Sequence, residues 1–357
     1  MRVSAWVARS PGDPMVREER DEVPGPGEVL VQVAGCGVCH TDLGFFYEGI
    51  PTRRPLPLTL GHEVAGTVVL AGEGAREWEN RQVVVPAVIP CGECAACLAG
   101  RGSICAGQVF PGSDVHGGFA SHLRVPARGL CPVPDLSDAG ANPRGLGLAS
   151  LSVVADAVST PFQAIHRSGL GRGDLAIFVG VGGVGGFGVQ IAAALGSAVV
   201  AIDVDDGRLE LLSRHGADLT LNADRTDFRA LRARVRSFAD ERGTPSWRQR
   251  VFETSGTPQG QATAFGLLGP GGHLSVVGYS PRKVEIRLSN LMALDATAQG
   301  NWACLPEHYP AVVELVLSGK VAIDPFVEER PLTSINATFA EIRARRISRR
   351  VVLIPEP

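Results

Sequence analysis

The sequence predicts an α/β protein built from a β-rich segment followed by a doubly wound parallel sheet. Three observations predict it. From AIFVGVG onward, short apolar strands alternate with amphipathic runs. Before that point, apolar strands are punctuated by Gly and Pro. The chain has 357 residues, 45% of them hydrophobic and 20% charged, too many for one core and ordinary for a globular protein.

Taken in order, the start MRVSAWVARSPGDP lacks the long apolar core of a signal peptide. EVLVQVAGCGV, EVAGTVVLAGEG and RQVVVPAV read as strands. PVPDLSDAGANPRGLG reads as a linker, and SVVADAVSTPFQAIHRSG as a helix. AIFVGVG, AVVAIDV, RVFETSG and HLSVVGYS are four apolar strand candidates for a parallel sheet, with GRLELLSRHGA and FRALRARVRSFADE as covering helices. Residues 175–202 carry no charge, long enough to span a bilayer, but glycines divide them into strand, turn, helix and strand. The basic run RARRISRRVV reads as a solvated face. The domains expected are 1–156 (catalytic), 157–300 (dinucleotide-binding) and 301–357 (a return to the first). The net charge of −3 offers no basic field for nucleic acid or an anionic membrane. Eight cysteines without secretory features place the protein in a reducing cytoplasm.

The stretch CGECAACLAGRGSIC holds Cys91, Cys94, Cys97 and Cys105 in a C-x2-C-x2-C-x7-C array. Two-residue spacers suit a single tetrahedral Zn2+ far better than two disulfides. GVGGVG then places Gly180, Gly182 and Gly185 between a strand and a helix. The first permits a tight turn, the second a close approach by a pyrophosphate, and the third close helix–strand packing. Asp203 ends the next strand about 20 residues on, where an acid binds the adenosine ribose of NAD. Asp205 and Asp206 would add repulsion toward a 2′-phosphate, besides capping the following helix. A second metal is suggested by Cys39 in GCGVCHTD and His62 in LPLTLGHEVAG. Alone, His62 would read as a satisfied polar residue; beside Glu63 and after a Cys-His-Thr-Asp turn, it reads as a ligand. Asp156, an acid within an apolar segment, is the third candidate of an open catalytic site. Cys36, Cys131 and Cys304 lack partner spacing and read as buried small hydrophobes.

These residues together resemble the zinc-containing medium-chain alcohol dehydrogenases over essentially the whole chain. The resemblance implies a Rossmann doubly wound sheet with a GroES-like catalytic domain, two Zn2+ per chain, NAD, and a homo-oligomer, dimer or tetramer. It implies Cys39, His62 and Asp156 as catalytic-zinc ligands and the cysteine quartet as the structural site. Glu63 matches a carboxylate able to exchange onto the metal, and Thr41 the hydroxyl that takes the substrate proton. His40 matches a basic position near the pyrophosphate, Thr160 a residue at the nicotinamide, and Asp203 with Arg208 the adenosine-binding pair. The chain departs at Gly44, where many members carry the outer His of a proton relay; the missing imidazole would leave space there.

Within the family, GGFASHLRVPARGLCPV and LSNLMALDATAQGNWACLPEHYPA look closest to the members that oxidise 6-hydroxycyclohex-1-ene-1-carbonyl-CoA in anaerobic benzoyl-CoA degradation. The substrate this implies is an alicyclic acyl-CoA, with Arg53, Arg54 or the C-terminal arginines as contacts for the CoA phosphates. A simple alcohol or polyol is the alternative.

Overall fold

The computed structural model describes residues 1–356 and resolves into two compact units. The first holds residues 1–159, 303–319 and 323–356. The second holds Thr160–Trp302 and Lys320–Ala322.

In the first unit, β1 (Arg2–Val7) and β2 (Val16–Asp21) pair antiparallel, and β1 also bridges Ala120 through Ala5. β3 (Glu28–Gly37) is the spine of a mixed sheet with β4 (Glu63–Ala71), β5 (Gln82–Val85), β6 (His122–Pro126) and β7 (Cys131–Pro132). The start of β3 pairs with β6 and its whole length with β4. One face of this sheet buries an apolar cluster that includes Val31, Leu60, Phe119 and Phe339, with Phe119 and Phe339 packed edge to face at 5.7 Å. The stretch read as a linker is instead a compact loop. Asn142 is buried in it, accepting from the Leu146 N–H at 2.9 Å and donating to the Leu136 and Leu146 carbonyls. A polar Asn fully bonded to its own loop stabilises a fixed conformation.

The second unit holds six parallel strands: β8 (Leu175–Val179), β9 (Ala198–Asp203), β10 (Leu219–Asn222), β11 (Gln249–Glu253), β12 (His273–Val276) and β13 (Thr297–Gly300). Their spatial order is β10-β9-β8-β11-β12-β13, the doubly wound arrangement whose direction reverses between β8 and β11. β8 is buried at every residue, as a central parallel strand must be, and the Phe178 ring stacks on Phe252 of β11 at 4.6 Å. β10 and β13 escape a pattern search because LTLN and TAQG are short and scarcely apolar. The helix expected from Ser152 is divided into a 3-10 turn, Ser150–Ala155, and an α-helix, Ser159–Ser168, with Asp156 between them at φ −143°. Gln190 in the helix Gly185–Ala194 exchanges hydrogen bonds with the backbone of Ala322, which ties the short Lys320–Ala322 excursion to this unit.

The chain closes with β14 (Val327–Pro331) and β15 (Arg350–Ile354) in the mixed sheet, whose order is β14-β15-β3-β4-β5-β7. β15 pairs with Cys36 and Gly37 at the end of β3. No helix among the described residues is long and apolar enough to cross a membrane.

Gly185 is confined by packing. A Cβ there would lie 2.0 Å from the Gly180 carbonyl oxygen and 2.6 Å from Thr254 Oγ1. Gly185→Ala is expected to lower stability by about 1–3 kcal/mol through forced displacement of that turn, measured by chemical denaturation. A wild-type midpoint would contradict this packing.

Candidate active site with two metal centres and a dinucleotide turn

The quartet Cys91, Cys94, Cys97 and Cys105 converges in the first unit. Cys94 leads the short helix Ala95–Leu98, and Cys105 follows the turn Gly102–Ile104. The Sγ–Sγ separations are 3.4 Å (Cys91–Cys105), 3.5 Å (Cys94–Cys97), 3.7 Å (Cys94–Cys105) and 3.9 Å (Cys91–Cys97). Zn–S bonds of about 2.3 Å give a tetrahedron with edges of about 3.8 Å, whereas a disulfide needs about 2.05 Å. All eight cysteines are free thiols. The backbone N–H groups of Glu93 and Cys94 lower the Cys91 pKa to about 6, favouring a thiolate there, whereas burial raises the Cys97 thiol to about 12. The donor set fits Zn2+.

The second cluster forms where β3 ends. Asp42 closes the first turn of the helix His40–Tyr47 by accepting from the Cys39 N–H at 2.9 Å, so Cys39 is held at the helix N-cap. Asp42 also accepts from the Gly61 N–H at 3.1 Å and has no exposed surface. That bond draws the segment before β4 onto the helix start. His62 Nδ1 lies 3.3 Å from Asp42 Oδ1, close enough for attraction but out of line for a good hydrogen bond. His62 Nε2 is 3.5 Å from Asp156 Oδ2, and Cys39 Sγ is 3.7 Å from the same oxygen. Thr41 Oγ1 sits 3.6 Å from Cys39 Sγ, and the Phe110 ring meets His62 edge-on at 5.1 Å. One donor atom each from Cys39, His62, Glu63 and Asp156 falls within 4.8 Å of the others.

The electrostatics call for positive charge at this point. Burial alone would lower the His62 pKa, yet the Asp42 and Asp156 carboxylates outweigh it and raise it well above the usual value. Burial raises the Glu63 pKa, opposed chiefly by Arg350. A thiol, an imidazole and a carboxylate in a buried anionic setting fit a divalent metal.

The dinucleotide turn belongs to the second unit. Gly180 adopts φ +87°, open to glycine, and a Cβ there would strike Ser255 Cα at 2.4 Å. A Cβ at Gly182 would meet only an Arg208 nitrogen, at 3.8 Å, so the turn keeps open space there for a phosphate. Asp203 accepts from the N–H groups of Val181 (2.7 Å), Val204 (2.8 Å) and Asp205 (3.1 Å). Arg208 lies 3.7 Å from it. Asp205 caps the helix Asp206–Ser213, and Asp206 pairs with Arg225, so Asp206 adds less repulsion than its position suggested. Thr160 is nearly buried in its helix and His40 is exposed.

With this geometry in place, comparison with known proteins is decisive. The family model described as "Alcohol dehydrogenase GroES-like domain" matches residues 25–135, and "Zinc-binding dehydrogenase" matches residues 183–318. An alcohol dehydrogenase from Rhizobium meliloti is 30% identical, covering 99% of both chains. An L-threonine 3-dehydrogenase from Pyrococcus abyssi is 30% identical over 86% of this chain and 85% of that one. The crystal structure of an alcohol dehydrogenase from Thermotoga maritima superposes with a TM-score of 0.87 at 26% identity, covering 100% of both chains.

The chain belongs to the zinc-binding alcohol dehydrogenase family.

As an alcohol dehydrogenase it takes zinc and NAD as cofactors, with the GroES-like and Rossmann architecture expected from sequence. Three residues that shape its site were not singled out beforehand. Asp42 is one, hidden within the Cys-His-Thr-Asp turn. Arg350 is another: its Nε donates to Glu63 Oε2 at 3.0 Å and its Nη2 to Oε1. The other arginines of the basic run, Arg343, Arg345, Arg346 and Arg349, are exposed, whereas Arg350 is buried beside β3. Gly37 makes the room, since a Cβ there would lie 2.0 Å from Glu63 Oε2. The third is Tyr309, fully buried, whose hydroxyl donates to the Ala155 carbonyl at 2.6 Å and so fixes the residue before Asp156. The space expected at Gly44 is absent: Ile50 Cδ1 lies 2.7 Å from the position of a Cβ. Cys36, Cys131 and Cys304 are buried as expected, and burial pushes the Cys131 thiol up to about 11.

Cys94→Ser is expected to lower the melting temperature sharply, whereas Asp156→Ala is expected to lower turnover by on the order of 10²-fold or more with a small thermal loss, because even second-layer partners of a metal cost up to about a hundredfold. Metal analysis should give two zinc ions per wild-type chain and one in Cys94→Ser; equal effects on melting and turnover in both variants would contradict the division. Arg350→Met leaves Glu63 buried without its counter-charge, and a loss of about 3–5 kcal/mol is expected in denaturant titrations. A loss below about 1 kcal/mol would mean that Glu63 relaxes without penalty.

Proposed function

We propose that this alcohol dehydrogenase oxidises a secondary alcohol to a ketone with NAD+, and that its substrate is 6-hydroxycyclohex-1-ene-1-carbonyl-CoA. The observation that carries the reaction class is the convergence of Cys39, His62 and Asp156 beside the Thr41 hydroxyl. When bound, the metal supplies Lewis acidity at the substrate hydroxyl and NAD+ supplies the hydride acceptor. Cys39, His62 and Asp156 hold the metal, and Asp42 orients His62 from behind. Thr41 takes the hydroxyl proton and passes it to solvent, while the carbinol carbon gives up its hydride. Glu63, restrained by Arg350, supplies negative charge beside the ligands. Asp203 accepts from the adenosine ribose hydroxyls, with Arg208 beside it, and the open space at Gly182 receives the pyrophosphate. His40 and Thr160 serve the pyrophosphate and nicotinamide ends.

The substrate rests on the resemblance in GGFASHLRVPARGLCPV and LSNLMALDATAQGNWACLPEHYPA. Arg54 supports it as an exposed cation with no ion pair among the described residues, whereas Arg53 is engaged by Asp114 at 3.5 Å. A small alcohol or polyol is the second reading, favoured by the similarity to an L-threonine 3-dehydrogenase. We also infer a homo-oligomer joined through β13, an exposed sheet edge flanked by exposed Leu288 and Met292. Eight free thiols support a reducing, cytoplasmic setting.

Thr41→Ala is expected to lower kcat by about 10²–10⁴-fold with little change in substrate affinity, and Thr41→Ser to retain activity. Steady-state kinetics on both variants checks the proton role. The substrate is tested by comparing kcat/KM for the CoA thioester and for cyclohex-2-enol at the same NAD+ and pH. Remote contacts to CoA should align the reacting carbon, so the thioester should win in kcat as well as KM. Equal efficiency would remove the CoA assignment and leave the small-alcohol reading.

A further inference from the structure

Glu253 ends β11, where the strand order of the parallel sheet reverses, in register with Val179 of β8 and Val276 of β12. It is 1% exposed. One oxygen, Oε1, accepts three hydrogen bonds: from the Ser255 N–H at 2.9 Å, the Ser255 hydroxyl at 2.6 Å and the Gly256 N–H at 3.0 Å. The other oxygen, Oε2, is buried with no partner. A carboxylate in such a place has a cost, since burial raises its pKa against the opposing Ser255 hydroxyl and the N–H groups of Gly256, Ser255 and Gly278.

The loop that Glu253 holds is the wall of the dinucleotide turn. Ser255 Cα occupies the place where a Gly180 Cβ would point, at 2.4 Å. Thr254 donates from its N–H to the Val179 carbonyl at 2.9 Å and from its hydroxyl to the Gly180 carbonyl at 2.5 Å. The loop after β12 closes the same stack from the other side. A Cβ on Gly278 would lie 2.3 Å from the Gly256 nitrogen and 2.8 Å from Glu253 Oε2, and a Cβ on Gly256 would lie 2.6 Å from the Tyr279 carbonyl oxygen. The loops after β8, β11 and β12 thus meet at contacts only glycine permits, with one carboxylate behind them.

We propose that Glu253 is a positioning residue of the cofactor site: through Ser255 it sets the height of the Gly180–Gly185 turn against the pyrophosphate without itself touching NAD. This goes beyond the metal ligands and the glycine motif and rests on NAD binding at that turn. The role needs an acceptor at Oε1 and does not need a negative charge. Glutamine supplies the acceptor, whereas alanine does not.

The test measures NAD+ dissociation constants by titration calorimetry on zinc-loaded wild-type protein and on Glu253→Gln, Glu253→Ala, Ser255→Ala and Gly278→Ala, with steady-state KM for NAD+ and kcat alongside. Glu253→Ala and Gly278→Ala should each weaken NAD+ at least about tenfold, the equivalent of one buried hydrogen bond or more. Ser255→Ala should weaken it by a few fold, and Glu253→Gln should stay near the wild-type value. The losses should fall on KM for NAD+ more than on kcat, and zinc content should not change. A purely structural role would instead lower the melting temperature of Glu253→Ala and leave NAD+ affinity of the folded fraction intact, which overturns the proposal. Should Glu253→Ala fail to fold, wild-type affinity in both Ser255→Ala and Gly278→Ala also overturns it. Failure of wild-type protein to bind NAD+ would strike the cofactor reading itself, and is seen before any variant is compared.

Discussion

The arrangement of the catalytic unit depends on a charge balance among side chains withdrawn from water. Cys39, Asp42, His62, Glu63, Asp156 and Arg350 meet at the end of β3, and anionic groups outnumber cationic ones. Unpaired, such charges would not stay buried. Arg350 answers one of them by pairing with Glu63. Asp42 is answered by two backbone N–H groups and by the imidazole. What remains, Cys39 with Asp156 and His62, is a site that attracts a dication, and the raised pKa of His62 reports the same demand for positive charge. Metal affinity and local folding therefore share one cause.

That balance explains backbone features that otherwise look incidental. Gly37 has no side chain because Glu63 fills the space beside it, and β15 pairs at Gly37 because it delivers Arg350 there. Tyr309 pins Ala155, so that Asp156 leaves the 3-10 turn at a fixed point. The cysteine quartet follows a simpler rule. Its four sulfurs are spaced as tetrahedron edges on a small loop with little apolar core of its own, which is the setting in which a bound ion supplies folding energy.

The stretch LSNLMALDATAQGNWACLPEHYPA, which carries the narrower substrate resemblance, divides in the fold. Leu288 and Met292 are exposed beside the edge strand β13, whereas Tyr309 is buried behind Asp156. Only the second part acts on the metal site. The first lies along an open edge strand, with apolar side chains beside it.

Much was legible in the chain before folding, for reasons of spacing. Metal ligands separated by two residues, glycines in a strand–turn–helix and apolar runs of strand length are local patterns, and local patterns survive in one dimension. They were enough for the quartet, the dinucleotide turn, four of the six parallel strands and the family. Residues acting across long separations were not legible. Arg350 stands in a run of exposed arginines and differs from them only because β15 inserts beside β3. Gly44 looked like a vacancy until Ile50 was seen to fill it, and the apparent linker became a closed loop once Asn142 found its partners. Glu253 reads as an ordinary strand end, and becomes part of the cofactor site only because three loops stack at the reversal of the sheet. Sequence determines which chemistry is available through nearest neighbours. Tertiary structure decides which of those groups are buried together, because desolvation and charge compensation act through space and not along the chain.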